Sequence, residues 1–223
     1  MVVHTMSVPE MVLEARKDFQ ALRNKTTEPA RRLRKEFLRS DRENELGHLV
    51  EWSSPKGKNK WLIFLVHGPK GLRTYTMVHF KDIKGRVAAL WVTTNGPGYY
   101  IGPHVIQRYG ERFDPTANPV ERLRSFFMEN HWYAVEPERE MRPGVWEAHF
   151  GLNHGLGLGD WHVEEGYFHI RTFVDFGNLF PNQLEQMERL DFDRHWTTLT
   201  KGQRQELLRR AQLDEDQLRE LAA

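Results

Sequence analysis

Two short runs late in the chain have the residue types and spacing for acid–base chemistry on a phosphate. They are Gly159-Asp160-Trp161-His162-Val163 and Phe168-His169-Ile170-Arg171-Thr172. If Glu165-Gly166 is a two-residue turn, the runs form a hairpin in which His162 opposes His169 and Asp160 opposes Arg171. Trp161, Val163, Phe168, Ile170 and Thr172 then share the buried face. Asp160, His162, His169 and Arg171 share the other, with Leu158 and Phe173 at its edge. Opposed Cβ atoms in such a ladder lie roughly 4.5–5.5 Å apart. Imidazoles titrate near neutrality, so a pair can serve as base and acid. A guanidinium offers a phosphate two parallel donors. The same alternation also describes an ordinary solvated sheet face, and a one-residue slip would dismantle the patch.

A second set of polar residues falls at helical spacing. His104, Arg108 and Arg112 are four apart, and Val105, Ile106, Tyr109 and Phe113 form the opposite stripe of the same helix. The stripe suits a phosphate, or it is the wet edge of an amphipathic helix. The chain has eleven histidines and no cysteine. Disulfides and thiolate ligands are therefore excluded, and no His-Glu-x-x-His occurs. His149, His154, His162 and His169 would converge only if the strand at 146–150 lay beside the hairpin. The sequence thus implies neither metal nor cofactor. Gly155-Leu156-Gly157-Leu158-Gly159 lacks the following Lys-Ser/Thr and the helix that a phosphate loop needs. Its alternating glycines instead leave one strand face bare for close packing.

The charge is uneven. The net value is +1 over 223 residues, yet residues 16–42 hold ten Lys/Arg and four acids, a +6 segment on a −5 body. This segment is either a solvated helix face or a surface for nucleic-acid phosphates, with Arg31, Arg32, Arg34 and Lys35 as its centre and Arg112 as an outlying contact. An acidic protein partner for the N-terminal helices is the remaining reading. Aromatics at 12% argue against disorder despite a mean hydropathy of −0.67. No apolar run approaches the ~20 residues of a membrane span, and residues 1–10 lack a signal-peptide pattern. The expectation is a cytoplasmic protein with no membrane contact.

The elements that must position these groups follow from periodicity. Residues 1–45 read as helices, with a Ser7/Glu10 capping box and a stop and restart at Thr26-Thr27-Glu28-Pro29. Period-two segments at 61–67, 72–80 and 87–94 read as an antiparallel meander. Asn95-Gly96-Pro97-Gly98 breaks it. Helices follow at 103–113 and from Asn118 to about 129, then a loop containing Pro137 and Pro143. Strands return at 146–150, 156–163 and 167–175. Beyond Asn178 the chain reads as helical, with further capping boxes at Thr200/Gln203 and Asp214/Gln217. The order predicts an α+β fold. It is a mostly antiparallel sheet packed by helices, with extra helices at both termini. The division is 1–46 basic helices, 47–176 α+β core and 177–223 C-terminal helices, together one compact unit.

The run His104-x3-Arg108-x3-Arg112, followed by strands ending His169-Ile170-Arg171-Thr172, resembles the pattern of small RelE/colicin-type ribonuclease toxins over roughly residues 60–175. The resemblance implies helices packed on an antiparallel sheet, and metal-free RNA cleavage by Arg, His and Thr-like side chains. This chain has added helices at both ends, and the hairpin register puts Thr172 on the core side, away from the shared surface such toxins use. The expectation is a metal-independent endoribonuclease, a toxin-like hydrolase. Its catalytic groups are His162, His169, Arg171, His104 and Arg108. The alternative is a non-catalytic nucleic-acid or protein-binding module of the same fold.

Overall fold

The computed structural model describes residues 1–40, 44–131 and 134–198. Its elements are α1 (Val8–Arg16), α2 (Phe19–Arg39), β1 (Leu46–Ser53), β2 (Lys60–Gly68), β3 (Gly71–Lys81), β4 (Val87–Trp91), β5 (Gly98–Ile101), α3 (Pro103–Phe113), α4 (Pro119–Glu129), β6 (Ala134–Arg142), β7 (Val145–Leu152), β8 (Gly155–His162), β9 (Tyr167–Asp175) and α5 (Pro181–Thr198). The nine strands form one sheet in the order β1-β2-β3-β4-β5-β9-β8-β7-β6. Two antiparallel meanders meet at β5 and β9, the parallel pair. The fold is α+β with a mostly antiparallel sheet.

Strand alternation sends side chains to two separate cores. Leu62, Val66, Met77, Ala89, Ile101, Phe150 and Ile170 lie on one face, under α3 and α4, through Val105, Ile106, Tyr109, Phe126 and Phe127. Trp61, Ile63, Leu65, Val78 and Leu90 lie on the other, under α1 and α2, through Met11, Val12, Ala15, Leu22 and Leu33. On that second face, but across the sheet, α5 sets Met187 and Leu190 on Leu156, with Leu158 alongside. Asp18, between α1 and α2, is buried and accepts from Asn59 Nδ2 at 2.7 Å and Trp61 Nε1 at 3.0 Å, which fixes the helix pair to β2.

Several elements differ from the sequence reading. The break in the N-terminal helices falls at Lys17-Asp18, and α2 continues through Pro29. Thr26 and Thr27 hydroxyls donate to the Leu22 and Arg23 carbonyls one turn before the proline. The buried stripe Leu22, Thr26, Leu33, Phe37 spans it, so packing overrides the local break. The segment after Gly98 is a strand of four residues, too short for a periodic signal. The segment containing Pro137 is β6, which tolerates proline because it is a sheet edge. The capping boxes at Thr200/Gln203 and Asp214/Gln217 lie outside the described residues.

Candidate functional site

The hairpin β8–β9 carries the polar strip, but in a different register from the two-residue turn. His162 pairs with Tyr167, Trp161 with Phe168 and Asp160 with His169. A type I′ turn needs positive φ at both central residues. Here Gly166 has φ +68° but Glu165 does not, so the loop is the longer 163–166. Val163, expected in the core, is exposed in that loop. His162 and His169 are therefore diagonal rather than opposed. The displacement is an even number of residues, so Asp160, His162 and His169 still share one face. A bulge follows. Leu158 pairs with Thr172 and Gly159 with Ile170, leaving Arg171 as the extra residue. The bulge returns Thr172 to the polar side, opposite Leu158, instead of the core side. Gly159 is required there, because a Cβ would meet the His169 carbonyl oxygen at 1.9 Å.

This strip lies between α1, which touches β5, and α5, which touches β6, β7 and β8. Asp160 is 7% exposed and sits at the centre. Its Oδ2 accepts an ion pair from Arg171 Nε at 3.1 Å, while Oδ1 is buried without a hydrogen-bond partner. His169 lies beneath, edge-on to Tyr100 with ring centroids 4.9 Å apart. Burial pushes its imidazole down to about 4, against the opposing pull of Asp160 and with help from Arg171 and His162. It is therefore neutral at pH 7, an acceptor rather than an acid. His162 stacks on Tyr167 at 4.3 Å and faces Glu165 Oε2 at 3.1 Å. Burial, the largest cause, together with Glu165 raises the Tyr167 hydroxyl to about 12.

The helical candidates stand elsewhere. The α3 helix packs on the opposite face of the sheet, through Val105, Ile106 and Tyr109. His104 is exposed on its first turn. Arg108 pairs with Glu111 at 3.5 Å and Arg112 with Asp175 at 3.1 Å. The structure thus gathers Asp160, His162, His169 and Arg171, and separates them from His104, Arg108 and Arg112. The four histidines of the hairpin region do not converge either. His154 Nδ1 meets the Tyr109 hydroxyl at 3.0 Å on the α3 side. His149 lies under α5, bonded to Gln186 at 2.8 Å. Donor atoms of Glu138, Glu147 and His149 do lie within 4.8 Å of one another. Arg139 holds Glu147 at 2.8 Å, so this cluster is largely satisfied by protein partners. Tyr100 and Tyr167 were missed by sequence reasoning, since neither stands in a polar motif. The Tyr99-Tyr100 pair between two glycines was the available signal.

Seven of the ten basic residues of 16–42 occupy one continuous helix. Arg23, Lys25, Arg31, Arg32, Arg34, Lys35 and Arg39 are all exposed on α2 and cover its solvent side, opposite the Leu22/Thr26/Leu33/Phe37 stripe. Glu28 binds Arg31 at 2.8 Å and Arg32 at 3.2 Å, which lowers its carboxyl to about 2. Among the described residues, no ion pair engages Arg23, Lys25, Arg34, Lys35 or Arg39. No family model, curated protein or solved structure matches this chain.

Proposed function

We propose that the protein binds nucleic acid through phosphate contacts along α2. The observation that carries this reading is the largely cationic solvent side of a 21-residue helix, on which Arg23, Lys25, Arg34, Lys35 and Arg39 are in no ion pair among the described residues. Such a row neutralises phosphates and releases their counterions, so affinity falls steeply with salt. Arg31 and Arg32, which share the single carboxylate of Glu28 and so keep a net positive charge between them, extend the same surface. The test is a triple variant, Arg34→Gln, Lys35→Gln and Arg39→Gln, on the full chain. Losing three contacts should reduce the salt-dependence slope by about 2 for a single strand. Folding should be unchanged within about 0.5 kcal/mol, as these side chains are exposed. Wild-type protein that binds no RNA or DNA at low salt, or a variant with an unchanged slope, defeats the reading.

A second reading is metal-independent, toxin-like RNA cleavage at the β8–β9 strip. It is favoured by one arrangement, the buried Asp160 carboxylate holding Arg171 beside a neutral His169. His169 would take the 2′-hydroxyl proton as that oxygen attacks the adjacent phosphorus. Arg171 would stabilise the phosphorane, and His162 would protonate the departing 5′-oxygen. His104, Arg108 and Arg112 enter no step of this reaction. The rising limb of its pH profile would stand near 4 instead of near neutrality, following His169. Cleavage of mixed RNA that survives intact in a His162→Ala/His169→Ala protein would remove the assignment.

A further inference from the structure

The β6–β7 edge of the sheet gathers metal-binding side chains under α5 that neither reading above uses. Glu147 and His149 are two apart on β7, so strand alternation sends both to one face. The edge strand β6 supplies a third group. Its ladder with β7 is irregular between Pro137 and Glu140, and Glu138 sits in that irregular stretch. One donor atom from each of Glu138, Glu147 and His149 lies within 4.8 Å of the others. Helix α5 supplies a fourth group, Gln186, whose amide meets His149 Nδ1 at 2.8 Å. His149 and Gln186 are only 6% and 8% exposed, whereas Glu138 stands at the surface and gives an ion a way in.

The protein partners alone leave these groups in conflict. His149 Nδ1 faces the Gln186 amide and also Glu138 Oε2, 3.5 Å away. A bare Nδ1 accepts from Gln186 but sets its lone pair against a carboxylate. A protonated Nδ1 has one hydrogen for two acceptors. Glu136, opposite His149 in the ladder, adds a third carboxylate, and its Oε2 is buried without a hydrogen-bond partner. The neighbouring cations are weak competitors for this charge. Arg139 engages Glu147 at Oε2 from a side chain that is 74% exposed, and Arg189 stands 3.5 Å from Glu136. The spacing suits a small ion. Ligand atoms about 2.1 Å from a tetrahedral centre lie about 3.4 Å from one another, close to the separation of Glu138 Oε2 and His149 Nδ1.

We propose that Glu138, Glu147, His149 and Gln186 bind one zinc ion, His149 through Nδ1 and Gln186 through its amide oxygen. A half-turn of the Gln186 amide exchanges its nitrogen for its oxygen with little change of shape. An imidazole among oxygen donors favours zinc over magnesium and calcium, which take oxygen ligands. Four protein ligands leave no open position, so the ion is structural. It ties α5 to β6 and β7, where the helix otherwise rests on the small core of Leu156, Met187 and Leu190. The site lies one strand beyond Asp160, which pairs with Glu147, and it depends neither on phosphate binding by α2 nor on chemistry at the polar strip.

The test uses the full chain, stripped with EDTA, and zinc chloride as the probe. Wild type should bind zinc saturably. Zinc at a hundred times its dissociation constant should raise the thermal midpoint by about 5–10 °C. Glu138→Gln/Glu147→Gln changes two partly or fully exposed carboxylates, so it should fold as wild type does without zinc and lose at least about tenfold in zinc affinity. Gln186→Leu should also lose roughly tenfold. Arg139→Gln should bind zinc more tightly, because it frees Glu147. Hydrogen exchange in α5 should slow when zinc is added to wild type and not when it is added to the double variant. No saturable zinc binding overturns the site. A double variant that binds as wild type does also overturns it, by placing the ion on other histidines. Magnesium that competes at equal concentration removes His149 from the ligand set. Zinc binding that leaves exchange in α5 unchanged, or wild-type affinity in Gln186→Leu, overturns the tie to the helix.

Discussion

Acid should destabilise this protein through His169. The imidazole is half-buried against Tyr100, and its pKa is depressed to about 4 in the folded chain. In the unfolded chain it returns to about 6.5. A depressed folded value means that the unfolded state takes up the proton first. The stabilising contribution of neutral His169 is therefore complete above the unfolded value and is lost as pH falls toward the folded one. The full difference is about 3 kcal/mol, and about 2 kcal/mol of it is lost between roughly pH 7 and pH 5. The salt-bridged carboxylates Glu14 and Glu28, both lowered to about 2, lose their contribution only at lower pH, whereas His79 and His131, also lowered by burial, lose theirs in the same direction as His169, so the share of His169 is read from the difference between wild type and variant. The assay is urea denaturation at the two pH values for wild type and His169→Gln. Glutamine removes the titration, so the two proteins should differ in pH sensitivity by about 2 kcal/mol. NMR titration of the ring proton gives the site directly. A His169 that titrates above about 6, or equal pH sensitivity in the two proteins, refutes the burial argument.

Two further outcomes follow from packing. Gly159→Ala should cost at least about 3 kcal/mol, because its Cβ would stand 1.9 Å from the His169 carbonyl oxygen, whereas Gly157→Ala meets only side-chain carbons at 3.1 and 3.2 Å and should cost less; thermal unfolding of both distinguishes them. Asp18→Ala should destabilise by about 2–3 kcal/mol by leaving Asn59 Nδ2 and Trp61 Nε1 without their acceptor, and retention of wild-type stability would show that α1 and α2 are held by apolar contact alone.

The parts of this fold legible in sequence are those where period and burial agree. β2 and β3, α3 and α4 read correctly because each buries a full stripe or face against a neighbour. The polar strip was legible to the level of face but not register. Alternation of Trp161 with Asp160 and His162 is a local property of one strand. Which residue lies opposite depends on the turn, and there Glu165 declined the positive φ that a tighter loop requires. The bulge at Arg171 was invisible for a similar reason, since it becomes necessary only when β9 closes on Gly159. Of the strands for which the sequence reading named no segment, β1, β5 and β6, the last two share a cause: they are set by their partners in the ladder rather than by an alternation of their own.

The two candidate surfaces are related by the same topology. Trp61, Ile63 and Leu65 bring α1 and α2 onto one face of the sheet, and the even displacement of the hairpin keeps Asp160, His162 and His169 on that face as well. The parallel junction of β5 with β9 then places the strip beside α1, with Tyr100 from the first meander touching His169 from the second. An odd displacement would have turned the histidines toward α3 and put Trp161 and Phe168 in their place. The placement of the acid–base strip on the same side as the cationic helix thus depends on the length of one loop. An insertion of one residue in 163–166 that flips the β9 faces should expose aromatic surface and abolish the Asp160–Arg171 pair, while leaving α2 and its phosphate binding intact.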